Sequence, residues 1–383
     1  MGMERDWIYF DANASEPARP VALEAMVRAA SVIGNPSSVH RAGRQARAVL
    51  ESARERLAGL FGTRPDNCVM TSGGTEANLL AVAGLGDGRR VLASAVEHDA
   101  VRAAAVADII PVDGDGVVRL DVLERMLGEP EPRPALVCLM LANNEVGTIQ
   151  PVAEAARLCH RHGALLHVDA VQAAGRIAVD LRALGADSLA ISGHKFGGVK
   201  GAGALLLAGE ATRTLAPVMA GGGQELGRRG GTPALPAIAA MAEAAVEAVG
   251  ALANADAASV MAGWRDAIEA AAVAVGAVAC GGAALRLPNT ISLALPGRAA
   301  QTQLIALDLA GFGVSAGSAC SSGKVARSHV LDAMGLGPLA GEAIRVSLPW
   351  TTREDEVMRF IDAYRAMAAR LPARRATLEE AGA

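Results

Sequence analysis

Near the middle of this 383-residue chain, two apolar runs end in side chains of complementary chemistry. The run at 164–168 leads into Asp169, with Gln172 just beyond, and the run at 188–191 leads into Ser192-Gly193-His194-Lys195. Both runs are short and rich in Leu, Val or Ile, the pattern of strands buried in a parallel sheet, and a helix-length connection separates them. In an open α/β sheet, ligands sit outside the carboxyl ends of the strands. A lysine and an aspartate at two such ends therefore face one crevice. The amine can form a Schiff base, and the carboxylate can hold a pyridine nitrogen protonated. That is the pair that pyridoxal phosphate (PLP) needs. Composition adds weight to the lysine: among 36 basic residues, the only lysines are Lys195, Lys200 and Lys324. Where almost every positive charge is Arg, a retained amine is a candidate for chemistry that a permanently protonated guanidinium cannot supply.

Four further features carry chemistry. Gly73-Gly74-Thr75 follows an apolar run and opens a helical one. Backbone N–H groups at such a helix start attract anions, and the Thr75 hydroxyl adds a donor. Taken alone the triplet is a plain turn with Thr75 as N-cap; beside Lys195 and Asp169 a phosphate cradle is the better reading. His98, just past a run at 91–94, could stack on a ring and exchange protons near neutral pH. His160, His162, His167 and His329 lack such a placement and read as structural or surface residues. Arg345 interrupts the apolar run at 344–348, where a guanidinium wants either a substrate carboxylate or an internal acidic partner. Cys320 sits among small residues in Gly317-Ser-Ala-Cys-Ser-Ser-Gly323, a setting that suits an accessible nucleophile or equally a surface turn. Cys68, Cys138, Cys159 and Cys280 lie in apolar surroundings or beside a glycine turn and read as core residues.

These groups need a scaffold, and the patterning supplies one. Short strands at 68–71, 91–94, 109–112, 135–141, 164–168, 188–191 and 202–207 alternate with helical segments, the rhythm of a mainly parallel sheet covered on both faces. Helical spacing with arginines on the opposite face runs over 38–60. A long Ala-rich helix ends near residue 251, and 254–258 marks a passage to a smaller unit. That unit carries helices at 264–274, 303–310 and 354–371 and strands at 290–295 and 344–348.

Net charge is −4, which leaves no electrostatic footprint for nucleic acid or an anionic membrane. No apolar run reaches the roughly 18 residues of a membrane span. The start, Met1-Gly-Met-Glu-Arg-Asp, lacks the apolar centre of a signal peptide. Five scattered cysteines without a CxxC pattern suit reduced thiols in the cytoplasm.

Together the residues resemble a cysteine desulfurase, a PLP-dependent enzyme of the class V aminotransferase family (NifS/IscS-like). The resemblance covers nearly the whole chain. Its motifs are Asn35-Pro-Ser-Ser-Val-His40, Thr71-Ser-Gly-Gly-Thr-Glu76, Glu97-His98, Asn143-Asn-Glu-Val-Gly147, His167-Val-Asp-Ala170, Ser192-Gly-His-Lys195, Gly317-Ser-Ala-Cys320 and Ile344-Arg345. It implies an α/β PLP-dependent transferase of fold type I, with a mainly parallel seven-stranded sheet in a large domain at 15–252. A smaller α+β domain at 253–383 carries the catalytic Cys loop, and residues 1–14 join it. By the same resemblance Gly74, Thr75, Ser192 and His194 cradle the cofactor phosphate, and Thr232 reaches it from the other subunit of a homodimer. Asp169 pairs with the pyridine nitrogen, Gln172 contacts the ring hydroxyl, and His98 stacks over the ring. Asn144 and Arg345 hold the substrate carboxylate, Lys195 carries the Schiff base, and Cys320 is the nucleophile on a longer catalytic loop. No metal is implied.

The implied reaction converts L-cysteine to L-alanine and leaves sulfur as a Cys320 persulfide. A persulfide-accepting scaffold or sulfur-relay protein then carries it to iron–sulfur cluster assembly or other sulfur transfer. A selenocysteine lyase or related β-lyase is the alternative on the same fold, and a dimeric scaffold without turnover is the alternative of another class. Two departures touch the pocket. Ser15-Glu16 stand where the family has two threonines, which would alter the charge at the edge of the site. Gly197-Gly198-Val199 replace Tyr-Gly-Pro after the lysine.

Overall fold

The computed structural model describes residues 7–209, 211, 215–317 and 327–371. Cys320 and Lys324 lie outside these residues. After a short first strand, Ile8–Tyr9 (β1), the chain builds one seven-stranded sheet. Its strands are Cys68–Thr71 (β2), Arg90–Ser94 (β3), Asp108–Ile110 (β4), Ala135–Met140 (β5), Leu165–Asp169 (β6), Ser188–Ser192 (β7) and Gly203–Leu207 (β8). The order is β2-β8-β7-β6-β5-β3-β4. From β7 to β4 all neighbours are parallel, while β8 runs antiparallel to both β2 and β7.

The continuous apolar runs follow from burial on both faces. Met70, Leu189 and Leu206 feed one core, while Val69, Ala190 and Leu205, their sequence neighbours, feed the other. Each Leu or Val so enclosed contributes about 1.5–3 kcal/mol. Helices Pro20–Ala30 and Arg41–Leu60 pack against Leu235–Ala251 on the first face, and Gly74–Leu85 covers the second. Register then sets the site. Met140 pairs with Asp169 and Asp169 with Ala190, while Ser192 and Thr71 both pair with Gly203. The carboxyl ends of β2, β3, β5, β6 and β7 therefore emerge along one edge.

A second core lies on strands Val278–Cys280 (β9), Thr290–Ala294 (β10), Phe312–Gly313 (β11) and Ala343–Ser347 (β12). Strands β12-β10-β9 form an antiparallel sheet, and β11 pairs in parallel with β1. Phe10 and Phe312 meet Phe360 edge-on at 5.5 and 5.3 Å, which ties the start of the chain to the closing helix Glu354–Arg370. An isolated bridge between Thr148 and Arg286, with the Leu287 N–H donating to the Gly147 carbonyl at 2.9 Å, joins this second unit to the loop after β5.

The structure differs from the sequence reading in two places. The helix expected at 264–274 spans Ala255–Val273, with Asn254 as N-cap accepting from the Ala257 N–H at 3.2 Å. Its first turns are exposed and Ala-rich, so no apolar period marks them. The connection between β6 and β7 holds only the one-turn helix Leu181–Leu184, ended by Gly185 in a left-handed conformation at φ 67°. Among the described residues no single helix is long and apolar enough to cross a membrane.

Candidate active site

The common edge of the strands opens into a cavity of about 520 Å³. Gly74, Thr75, Ser192 and His194 line it, and so do Asp169, Gln172 and Lys195. His98, Asn144 and Arg345 complete the set. Thr232 is exposed and lines a small adjoining pocket that shares Ser72 and Gly201 with the main cavity.

At one wall the helix Gly74–Leu85 begins, and its first N–H groups have no partner within the helix. Absent side chains keep this wall open. A Cβ on Gly74 would stand 2.6 Å from Val171 Cγ2 and 3.2 Å from Ser192 Cβ, and one on Gly203 would stand 2.5 Å from the Gly73 carbonyl carbon. Strand β8 can thus run against the helix start, and Ser192 reaches the same place. The helix dipole and the Thr75 and Ser192 hydroxyls give this wall the chemistry that attracts an anion. His194 lies at its border, with Nδ1 3.3 Å from Ser15 Oγ. Burial, helped by Lys195, lowers its pKa to about 4, so it is neutral at physiological pH.

Asp169 ends β6 and is buried. Its Oδ1 accepts from the Val171 N–H at 2.9 Å and its Oδ2 from Asn78 Nδ2 at 2.6 Å. Asn78 Oδ1 in turn lies 3.0 Å from His167 Nε2, and His167 Nδ1 lies 2.9 Å from Ser188 Oγ. Burial pushes the His167 pKa down to about 3, so the ring is neutral. Because Asn78 presents its amide nitrogen to Asp169, its oxygen must accept from His167, which places the His167 proton on Nε2 and makes Ser188 the donor to Nδ1. The chain Ser188–His167–Asn78 thus fixes one oxygen of Asp169. Asn78 was missed in the sequence; its one signal is an amide on the buried side of an otherwise apolar helix. His167 is structural as expected, but its structural work is done for Asp169.

Lys195 Nζ donates to the carbonyls of Asn13, at 2.5 Å, and Ala14, at 3.2 Å. Asn13, also missed, spans both units: its side-chain nitrogen donates to the Asn144 carbonyl at 3.1 Å and to Thr290 Oγ1 at 3.0 Å. Beyond the lysine, Gly197 adopts φ 93°, and a Cβ there would stand 2.6 Å from Arg19 Cγ. Arg19 fills that space and donates from Nε to the Phe196 carbonyl at 3.0 Å, so the departure from Tyr-Gly-Pro is accommodated by a neighbouring side chain.

His98 caps the helix Asp99–Arg102, with Nδ1 accepting from the Ala100 N–H at 3.0 Å, which leaves Nε2 as the ring's exchangeable position. Arg345 lines the cavity, and its Nη2 pairs with Asp11 Oδ1 at 2.7 Å, the internal acidic partner that was one of its two sequence readings. Its Nη1 donates to the Asn144 carbonyl at 3.1 Å, while its buried Nε has no partner among the described residues. Glu16 does not charge the cavity edge. It is buried, its Oε2 lies 3.1 Å from Arg176 Nη2, and its Oε1 accepts from the Trp350 N–H at 2.7 Å.

Glu97, next to His98, is wholly buried. Its Oε1 accepts from Ser94 Oγ at 2.6 Å and the Met140 N–H at 2.8 Å, and its Oε2 has no partner. Burial, with the charge of Asp169 adding to it, raises its carboxyl from 4.5 to about 8. Between those values the folded protein holds a proton that the unfolded chain releases, so stability falls as pH rises through the window. Glu97→Gln should remove that part of the slope, so that its urea midpoint changes less between pH about 4.5 and about 8. An unchanged slope in the variant would show that Glu97 is ionised in the fold.

Cys68, Cys138, Cys159 and Cys280 are buried, and burial pushes their thiols up, to about 12 for Cys68 and Cys159 and about 11 for Cys280. None is suited to nucleophilic work. Cys320, the remaining thiol, lies outside the described residues.

The family described as aminotransferase class-V matches residues 8–360. An IscS-like cysteine desulfurase of Mycobacterium tuberculosis is 38% identical, with 98% of this chain and 99% of that protein covered. Among solved structures, a NifS-like protein of Rickettsia africae superposes with a TM-score of 0.88 at 32% identity, covering 95% of this chain and 99% of the other. A structure described as SspA in complex with cysteine superposes with a TM-score of 0.76 at 28% identity, covering 89% and 99%. The chain belongs to the class V aminotransferase family.

Proposed function

We propose that the protein is a cysteine desulfurase, which converts L-cysteine to L-alanine and passes the sulfur on through Cys320. The observation that carries this reading is the convergence of Lys195, Asp169 and Arg345 on one cavity beside an uncovered helix start. The desulfurase relatives and the cysteine-bound neighbour support the choice of substrate.

The residues fit PLP. The open wall at Gly74 with the hydroxyls of Thr75 and Ser192 suits its phosphate, and Asp169, held by Asn78, suits a protonated ring nitrogen. When bound, PLP supplies an electron sink for charge that develops on the substrate Cα. The protein does the rest. Lys195 Nζ is the amine that would hold the cofactor, and it is placed to move the substrate Cα proton. Arg345, with Asn144 beside it, holds the substrate carboxylate. Its unpartnered Nε is a further donor in that region. His98 Nε2 carries protons across the cavity. Cys320 thiolate takes the substrate sulfur: an S–S bond forms as the C–S bond breaks, the electron pair stays with carbon, and protonation there yields alanine. Sulfur leaves the persulfide for an acceptor protein in the cytoplasm.

The direct experiment is to incubate purified protein and PLP with L-cysteine and a thiol reductant and to measure alanine and sulfide. Equal amounts of both are expected; alanine without sulfide, or neither, contradicts the reading.

Thr232 is exposed and outside its own chain's main cavity, which suits a role at the phosphate site of a two-fold partner. A homodimer is expected by light scattering at micromolar concentration, with Thr232→Ala weakening PLP retention. A fully active monomer would rule this role out.

A further inference from the structure

Behind the cavity lies an ion pair that the reaction does not use. Glu16 and Arg176 are buried to 5% and 7% side-chain exposure and line a separate space of about 220 Å³ on the far side of Lys195. Arg176 spends its donors on the active-site framework. Its Nη1 donates to Gln172 Oε1 and, at 3.2 Å, to the Gln172 carbonyl, while Nη2 donates to the Ala12 carbonyl and to Glu16 Oε2, each at 3.1 Å. A guanidinium can only donate. The Gln172 atom that faces it must therefore be oxygen, which turns the NH2 group the other way, toward the cavity wall. There Gln172 Nε2 donates to the Asn13 carbonyl at 3.0 Å, the same oxygen that accepts from Lys195 Nζ.

We propose that Arg176, neutralised by Glu16, is a positioning residue that fixes the amide of Gln172 as a donor into the cavity and clamps the backbone that holds Lys195. The pair is not needed for stability as such, since a buried ion pair is often replaceable by apolar side chains at little cost. What apolar side chains cannot do is donate to Gln172 Oε1, a bond that reinforces the choice of the NH2 face made at the Asn13 carbonyl. Glu16 serves the pair twice over: one oxygen neutralises Arg176, and the other accepts from Trp350 N–H at 2.7 Å, anchoring the turn after β12. The inference rests on the reading of the cavity as a PLP site in which Gln172 faces the ring hydroxyl.

The test follows the visible absorption of bound PLP as pH is varied, together with PLP affinity and urea stability. A donor lost from the ring oxygen leaves more negative charge beside the Lys195 nitrogen, which then keeps its proton to higher pH. Arg176→Met should raise the absorption midpoint by about one pH unit and weaken PLP binding roughly tenfold, the size of one hydrogen bond to a charged group. Because that variant buries an unpaired Glu16, the double variant Glu16→Leu/Arg176→Met is measured beside it. The double variant should regain urea stability and keep the raised midpoint, and Arg176→Lys should restore the midpoint. Gln172→Leu should shift the midpoint in the unaltered protein and add little in the Arg176→Met background. A midpoint that returns with stability in the double variant, or a full Gln172→Leu shift without Arg176, overturns the inference and leaves the PLP reading standing. No PLP chromophore in the unaltered protein would remove that reading and this inference with it.

Discussion

Lys195→Ala should lower alanine formation from cysteine by about 10⁴-fold or more, the scale of removing a positioned proton carrier together with a nucleophilic amine. Among the described residues, no other group lining the cavity combines these roles. Lys200 also lines it, but is exposed, and His98 cannot replace a primary amine. The loss should be chemical rather than structural. Asp169 keeps its bonds from Asn78 and Val171, and the helix start at Gly74 is untouched, so the variant should still bind PLP, though more weakly. Borohydride treatment with PLP followed by peptide mapping separates the two cases. The unaltered protein should carry one fixed pyridoxyl group, on Lys195, and the variant none. A group fixed on Lys200 or Lys324 in either protein would move the covalent site and defeat the assignment.

The sequence made the strand ends legible because their chemistry is local. A polar residue that closes a buried apolar run has no structural reason to be a lysine, so Asp169 and Lys195 stood out before any geometry was known. The same logic located Gly73-Gly74-Thr75, where a strand hands over to a helix. What stayed hidden is the set of groups that hold these residues in place, because their partners are remote along the chain. Arg176 meets Glu16 across 160 positions, and Asn13 meets Thr290 across 277. Glu16 illustrates the error that follows: seen as a sequence departure it promised a charged cavity edge, whereas the fold turns its carboxylate onto Arg176. The helix Ala255–Val273 was half seen for a different reason. Its first turns bury little, so composition without periodicity left only its second half readable.

On the proposed function, Cys320 decides whether this chemistry transfers sulfur or merely cleaves a substrate. The four described cysteines are buried with raised thiols, which leaves Cys320 as the candidate nucleophile. Cys320→Ser keeps size and polarity and replaces a thiolate with a hydroxyl that stays protonated near neutral pH. PLP binding and the cysteine-induced change in its absorption should persist, because Lys195, Asp169 and Arg345 are intact. Alanine release should fall by about 10³-fold or more, as expected when a covalent route is lost. The most direct measurement is the intact mass of the PLP-loaded protein after cysteine is added without reductant, followed by peptide mapping. The unaltered protein should gain one sulfur atom per chain on the peptide that contains Cys320, and the serine variant should gain none. Sulfur mapped to Cys68, Cys138, Cys159 or Cys280, or undiminished alanine release by the serine variant, would contradict the account.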